Sequence, residues 1–180
     1  INIANRHGFN EVFFEDVRVP ATQVVGEVNR GWYHMAVALD FERSGIQAYA
    51  GGRRTVERLV SLAKAHPELA ERRPSVKYEL ADRVVEVNVG TFLAYRVATM
   101  QARGMVPNHE ASASKLFGSE MGQRIATTGM HLLGTHGQLR DGTKHQVVDQ
   151  ATSYLSAVSA TVAAGTSEIQ RGIIATRGLG

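Results

Sequence analysis

Between residues 76 and 98, Val76, Leu80, Val84, Val87, Thr91, Ala94 and Ala98 step by threes and fours. That spacing sets residues on one side of an α-helix and cannot be kept by a strand. The stretch therefore predicts a long helix, ended by Gly104 and Pro107, with Glu79 and Arg83 placed to pair four residues apart on another face. The pattern recurs on both sides. Trp32, Met35, Ala36, Leu39, Ile46, Tyr49 and Ala50 predict a helix from 31 to about 66, where Pro67 interrupts it. Asn108 reads as the cap of another, running to 133, in which Gly118, Gly122, Ala126 and Gly129 form a ridge of small residues that permits close helix packing. A weaker pattern predicts a fourth helix from about 144 to 160, and a short helix closes the chain. Long helices joined by short loops predict an all-α fold: an antiparallel up-and-down bundle of four long helices plus a C-terminal helix.

Residues 1–30 read differently. Phe9, Val12 and Phe14 lie among polar residues and lead into a Gly-containing loop, so a short β segment is expected before a helical domain spanning 31–180. With 180 residues, 43% of them hydrophobic, the chain can build one domain with a sizeable core. It has no cysteine, which excludes disulfide and thiol chemistry and suggests a reducing, cytoplasmic setting. No apolar run approaches the roughly 20 residues of a membrane span, and no signal-like N-terminus is visible. Ile1 rather than Met at the start suggests a beginning inside a longer polypeptide. The net charge of +3 suits a polyanionic ligand. Nucleic acid is not expected, because the basic residues are scattered rather than grouped with aromatics.

Two stretches carry candidate chemistry. Near the end, Gly165 supplies a turn, Thr166 or Ser167 can cap a helix, Glu168 suits its positive end, and Ile169, Ile173 and Ile174 give it an apolar face. Such a helix start points unpaired N–H groups at an anion, a phosphate or an electron-rich ring; most capped helices, however, bind nothing. The second stretch surrounds Glu42. A helical Glu is usually a solvated charge with a cation one turn away. Here the neighbours one turn away are Ala38, Leu39, Gly45 and Ile46, so a carboxylate interrupts an apolar seam. Burial raises a carboxylate's pKa toward the range of a general base. Asp40 and Arg43 flank it and can pair with each other as a surface ion pair of small energy. His131 and His136 lie five apart, off a common helical face and with no local carboxylate, so a metal site is not expected.

The run G-T-S-E-I-Q-R-x-I-I-A-x-R from Gly165 resembles the C-terminal signature of the acyl-CoA dehydrogenases, flavoenzymes that desaturate acyl-CoA thioesters between the α and β carbons. The stretch E-V-F-F-E-D-V-R-V-P resembles the end of that family's middle β-domain entering its helical domain. The resemblance covers nearly the whole chain and implies FAD as cofactor, an electron-transferring flavoprotein as redox partner, and a homo- or hetero-oligomer. In familiar members a Glu directly before the signature Gly removes the α-proton. Here that position is Ala164, preceded by Ala163 where Tyr is common. L-D-F-E-R resembles the alternative location of the base in isovaleryl- and long-chain-type members, which implies Glu42 as the base and Asp40, Arg43 and Gly165 as residues that meet the thioester. The segment His131, Leu132, Leu133, Gly134, Thr135 stands in the place of a Q-x-x-G-G run that touches FAD across a dimer interface, although a helix end followed by a loop explains the same letters. Thr166 and Glu168 match positions near the flavin. An R-x-x-F-G run that many relatives carry is replaced by H-P-E-L-A-E-R-R-P, and neither Arg72 nor Arg73 supplies it. Such a departure is similar to bacterial members in which two different subunits share fewer flavin sites. A non-catalytic partner subunit and a cofactor-free helical interaction domain are the rival readings.

Overall fold

The computed structural model describes residues 1–42, 45–140 and 149–180, with only the helical backbone described for 40–42. Among them the fold is all-α: α1 (Gly31–Glu42), α2 (Ile46–Ala65), the short α3 (Pro67–Glu71), α4 (Val76–Ala102), α5 (His109–Leu133), α6 (Gln150–Ala160) and α7 (Ser167–Gly178). Helix α5 is the axle, packed against α2, α4, α6 and α7. Its cross-links give the directions. Glu79 reaches His131, Glu86 reaches Arg124 and Arg96 reaches Glu110, so α4 runs antiparallel to α5. Gln150 reaches Ala126 while Lys115 reaches Ala160, and α6 therefore runs back along α5 as well. No described helix is long and apolar enough to cross a membrane.

Small residues draw the helices together. The Tyr49 ring of α2 lies against Gly90 of α4, where an added Cβ would overlap it, and against Gly118 of α5, where a Cβ would come within 3.1 Å of its hydroxyl. That hydroxyl donates to the Ser114 carbonyl oxygen at 2.5 Å, so the buried phenol is satisfied. Burial pushes its pKa up, against the hydrogen bonds to Ser114 and Gly118. Val56, Leu59, Val87, Met121 and Leu132 extend the same core. Each buried aliphatic side chain of this size contributes about 1.5–3 kcal/mol.

Several expectations need correction. The helix expected over 31–66 is two helices, since Gly45 has φ 70°, a left-handed conformation that residues with a Cβ resist. Pro67 does interrupt α2, but it also opens α3 at the position where its missing N–H costs nothing. On α4 the buried side is Val76, Leu80, Val87, Gly90, Ala94 and Val97, while Val84 and Ala98 are exposed. Glu79 does not turn to Arg83; it pairs with His131 and Arg73, and Arg83 pairs with Glu86. Tertiary partners outcompete a local pair when they bring better geometry. Among the described residues there is no strand: the expected β segment is loop, with Phe9, Phe13 and Phe14 exposed. A strand needs a neighbour to satisfy its backbone, and none is described beside it. Trp32 and Met35 of α1 are likewise exposed rather than seated in a seam. Asn108 precedes α5 as expected, yet its side chain makes no capping bond. The described part of the fourth helix begins at Gln150, where Asp149 accepts the Thr152 N–H at 2.9 Å; residues 144–148 lie outside the described residues.

Candidate functional site

The turn between α6 and α7 is held by several hydrogen bonds. Ala164 has φ 54° and Gly165 φ 89°, so consecutive residues take left-handed conformations. A Cβ on Gly165 would fall 2.6 Å from Gln170 Nε2. Gln170 is fully buried, and its amide donates to the carbonyl oxygens of Ala164 and Gly165, each at 3.3 Å. Lys115 Nζ donates to the Gly165 oxygen at 2.6 Å. The Ser167 N–H closes the turn on the Thr161 oxygen at 3.0 Å. Thr166, rather than Ser167, caps α7, its Oγ1 accepting the Ile169 N–H at 3.3 Å. Ile173 and Ile174 are half-buried as expected, whereas Ile169 is exposed and Gln170 takes the inner position.

On one side of this turn lies a cavity of about 500 Å³ between α2, α5 and α6. Leu39, Gly45, Ala48, Gly52, Gly122 and Ala164 are among its walls. It is apolar and lined mostly by small side chains, so its space comes from missing atoms rather than from parted helices. The ridge expected on α5 is real, and its glycines do two jobs. Gly118 and Gly129 let Tyr49 and Gln150 approach, while a Cβ on Gly122 would meet nothing within 4 Å. Glu42 lies in sequence between the wall residues Leu39 and Gly45, but the side chains of Asp40 and Glu42, and the whole of Arg43, lie outside the described residues.

On the other side, at the N-terminus of α7, opens a polar cavity of about 740 Å³. Thr166, Ser167, Glu168 and Arg171 line it from α7 and its cap, Glu120 and Arg124 from α5. Arg124 Nε reaches Glu86 Oε1 at 2.8 Å, and Arg171 Nη2 reaches Glu120 Oε1 at 2.6 Å, so cations and carboxylates alternate around the rim. The Glu168 carboxyl is held below the usual range by its own backbone N–H and by the Thr166 hydroxyl, as expected at a helix start. Ser167 Oγ is buried without a hydrogen-bond partner. The orphaned Ser167 hydroxyl, with Arg124 and Arg171 on the same cavity, fits a ligand rich in acceptor oxygens.

The remaining predicted residues fall at the far end of α5. Leu132 and Leu133 are buried in the core, and Gly134 and Thr135 are exposed where the chain leaves the helix. His131 Nδ1 sits 2.8 Å from Glu79 Oε2, and Glu79 lines the polar cavity. Burial of Glu79 opposes ionisation, but His131, Arg73 and Thr128 outweigh it and its pKa is lowered. Sequence reasoning missed Arg124, Arg171 and Lys115. The spacing of Glu120 and Arg124 was a usable signal for the first, Arg171 stood in the G-T-S-E-I-Q-R run without a role assigned to it, and nothing local marked Lys115.

The family of acyl-CoA dehydrogenase C-terminal domains matches residues 29–179. The acyl-CoA dehydrogenase IpdE1 of Mycobacterium tuberculosis is 31% identical over 100% of this chain and 46% of its own length. Among solved structures, the Tcur3481-Tcur3483 steroid ACAD superposes with a TM-score of 0.78 at 25% identity, covering 93% of this chain and 44% of that one. The ChsE4-ChsE5 complex of Mycobacterium tuberculosis gives 0.77 at 26% identity, covering 93% and 45%. The chain thus spans less than half the length of the relatives it matches. A tied glycine turn dividing two cavities on one helical bundle, in a sequence matched from residue 29 to 179, means that the chain belongs to the acyl-CoA dehydrogenase family.

Proposed function

We propose that this chain is the C-terminal portion of an FAD-dependent acyl-CoA dehydrogenase in which Glu42 is the base. The observation that carries this reading is the composition of the apolar cavity. Ala164, at the position where familiar members keep their Glu, shares its wall with Leu39 and Gly45, which bracket Glu42 in sequence. A base from that bracket would act on an acyl chain lying in the cavity, removing the α-proton, with Asp40, Arg43 and the Gly165 turn meeting the thioester. FAD supplies the acceptor for the hydrogen that leaves the β-carbon. Thr166, Ser167, Glu168, Arg124 and Arg171 would hold it at the polar cavity, and the exposed Gly134–Thr135 end of α5 would reach the FAD of a neighbouring subunit. Electron-transferring flavoprotein is the proposed redox partner.

The acyl group is branched or ring-bearing. An open apolar cavity of about 500 Å³, walled in good part by glycine and alanine, leaves room for a bulky acyl group. The likeness to the Tcur3481-Tcur3483 steroid ACAD supports the same class. The ChsE4-ChsE5 structure is a complex of two chains, which supports an oligomer of like or unlike subunits.

The test is Glu42→Gln in the full-length protein, mixed anaerobically with acyl-CoA in a stopped-flow spectrometer. FAD content stays as in the parent, and flavin reduction slows by about a hundred- to ten-thousand-fold, the range of a lost general base. Reduction at the parent rate would remove Glu42 from the mechanism.

A further inference from the structure

Lys115 is a cation on the wall of the apolar cavity, beside Ala160 and Ala164. An ammonium among apolar groups is costly unless its donors find acceptors. Here Nζ donates to the Gly165 oxygen at 2.6 Å and to the Ala160 oxygen at 3.3 Å. Ala160 is the last residue of α6, where carbonyls lack partners inside the helix and a positive charge suits the dipole. The same helix end is held a second time, by Gln123 Nε2 on the Ala157 oxygen at 3.3 Å and the Thr161 hydroxyl at 3.1 Å. What sets Lys115 apart is its shorter bond, which runs past α6 to the turn.

The Gly165 oxygen takes a second donor from α7, Gln170 Nε2 at 3.3 Å. Its peptide is therefore clamped between α5 and α7, and the closer of the two donors carries a full charge. In a trans peptide the N–H points away from the carbonyl, so fixing the Gly165 oxygen also fixes the Thr166 N–H, and Thr166 lines the polar cavity. One side chain on the apolar side thereby sets a backbone group on the polar side. An ammonium also polarises the peptide it touches and strengthens that N–H as a donor, more than a neutral amide does. We infer that Lys115 is a positioning residue of the proposed desaturation, an inference that rests on the two cavities holding acyl chain and flavin: its charge fixes the Gly165–Thr166 peptide, and with it the separation between thioester and flavin.

Lys115→Gln removes the charge and keeps a donor, whereas Lys115→Arg keeps the charge; both are made in the full-length protein. Amide exchange read by mass spectrometry needs no turnover. The Ser167 N–H, which closes the turn on the Thr161 oxygen, should exchange about tenfold faster in Lys115→Gln, with α4 unchanged and Lys115→Arg close to the parent. In anaerobic stopped flow with saturating acyl-CoA, the limiting rate of flavin reduction should fall about tenfold or more in Lys115→Gln, because small misplacements of reacting groups cost that much. FAD content and the thioester dissociation constant should stay near the parent's, and Lys115→Arg should recover most of the rate. A residue that only supports folding would instead lower FAD content and leave the rate per bound flavin unchanged. That result would overturn the inference, as would parental exchange at Ser167 in Lys115→Gln, or a Lys115→Arg rate about tenfold below the parent; in each case reduction of the parent by thioester leaves the underlying reading standing. A parent whose flavin no thioester reduces would overturn both together.

Discussion

The two cavities share α5 as a wall and are made from it by opposite means. On the apolar side the helix presents Gly118, Gly122 and Ala126, and space exists because atoms are absent. On the polar side it presents Glu120, Gln123 and Arg124, and the charges there are paired, Glu120 with Arg171 of α7. A site made by absence is exacting about size and indifferent to ionic strength. A site made by paired charges tolerates changes in volume but responds to salt and pH. The turn at Ala164 and Gly165 stands between them, so one short segment fixes both.

The largest effect should come from filling the apolar side. In Gly122→Phe the added Cβ meets no atom within 4 Å on the wall of the apolar cavity, and a helix interior gains up to about 1 kcal/mol when glycine is replaced. Stability should therefore hold while kcat/KM for ring-bearing thioesters falls by about a hundredfold, with short straight chains nearly spared. Kinetics across such a panel check this; an equal fall for every substrate would break the division of labour between the cavities. An intermediate effect is expected from Arg124→Ala on the polar side. Its ion pair is partly exposed and screened, so unfolding free energy should drop by only about 1 kcal/mol. FAD should be lost about tenfold more readily in titrations, more so at low salt, with acyl preference unchanged. The smallest effect concerns Glu79. Its folded pKa is lowered, so it adds stability above the unfolded value of about 4.3, and that stability is lost as pH falls through the folded value. Denaturation of Glu79→Gln against the parent should show a constant gap near neutrality that closes below about pH 4; a gap that widens there would reverse the sign of the coupling.

Where a local rule decides, the chain is readable. Thr166 caps its helix through its own side chain, and the glycine spacing on α5 alone announces close packing. Periodicity fails where a helix has two apolar faces. On α4 it cannot say whether Val84 or Val97 goes inside, because both belong to plausible stripes and only the position of α2 and α5 chooses. It fails again at Gly45, where helical spacing continues on either side of a residue whose backbone has turned left-handed. The candidate site divides in the same way. Thr166, Glu168 and Gly165 were readable because a helix start is a local event. Arg171 and Lys115 were not, since each acts on a residue more than forty positions distant in sequence.

Tyr49 wedged between Gly90 and Gly118 has a consequence for descent. The ring occupies volume that both glycines surrender, so a side chain gained at Gly90 collides unless Tyr49 has already shrunk. A smaller residue at position 49 in turn leaves a void, and a buried aromatic removed alone costs about 3–5 kcal/mol. Each single step from this arrangement is downhill in fitness although a coordinated change could be neutral. The three positions therefore form an epistatic unit. Lineages diverging from a common ancestor would keep them as a set or exchange them as a set, and the angle at which α2 meets α4 and α5 would be inherited with that choice.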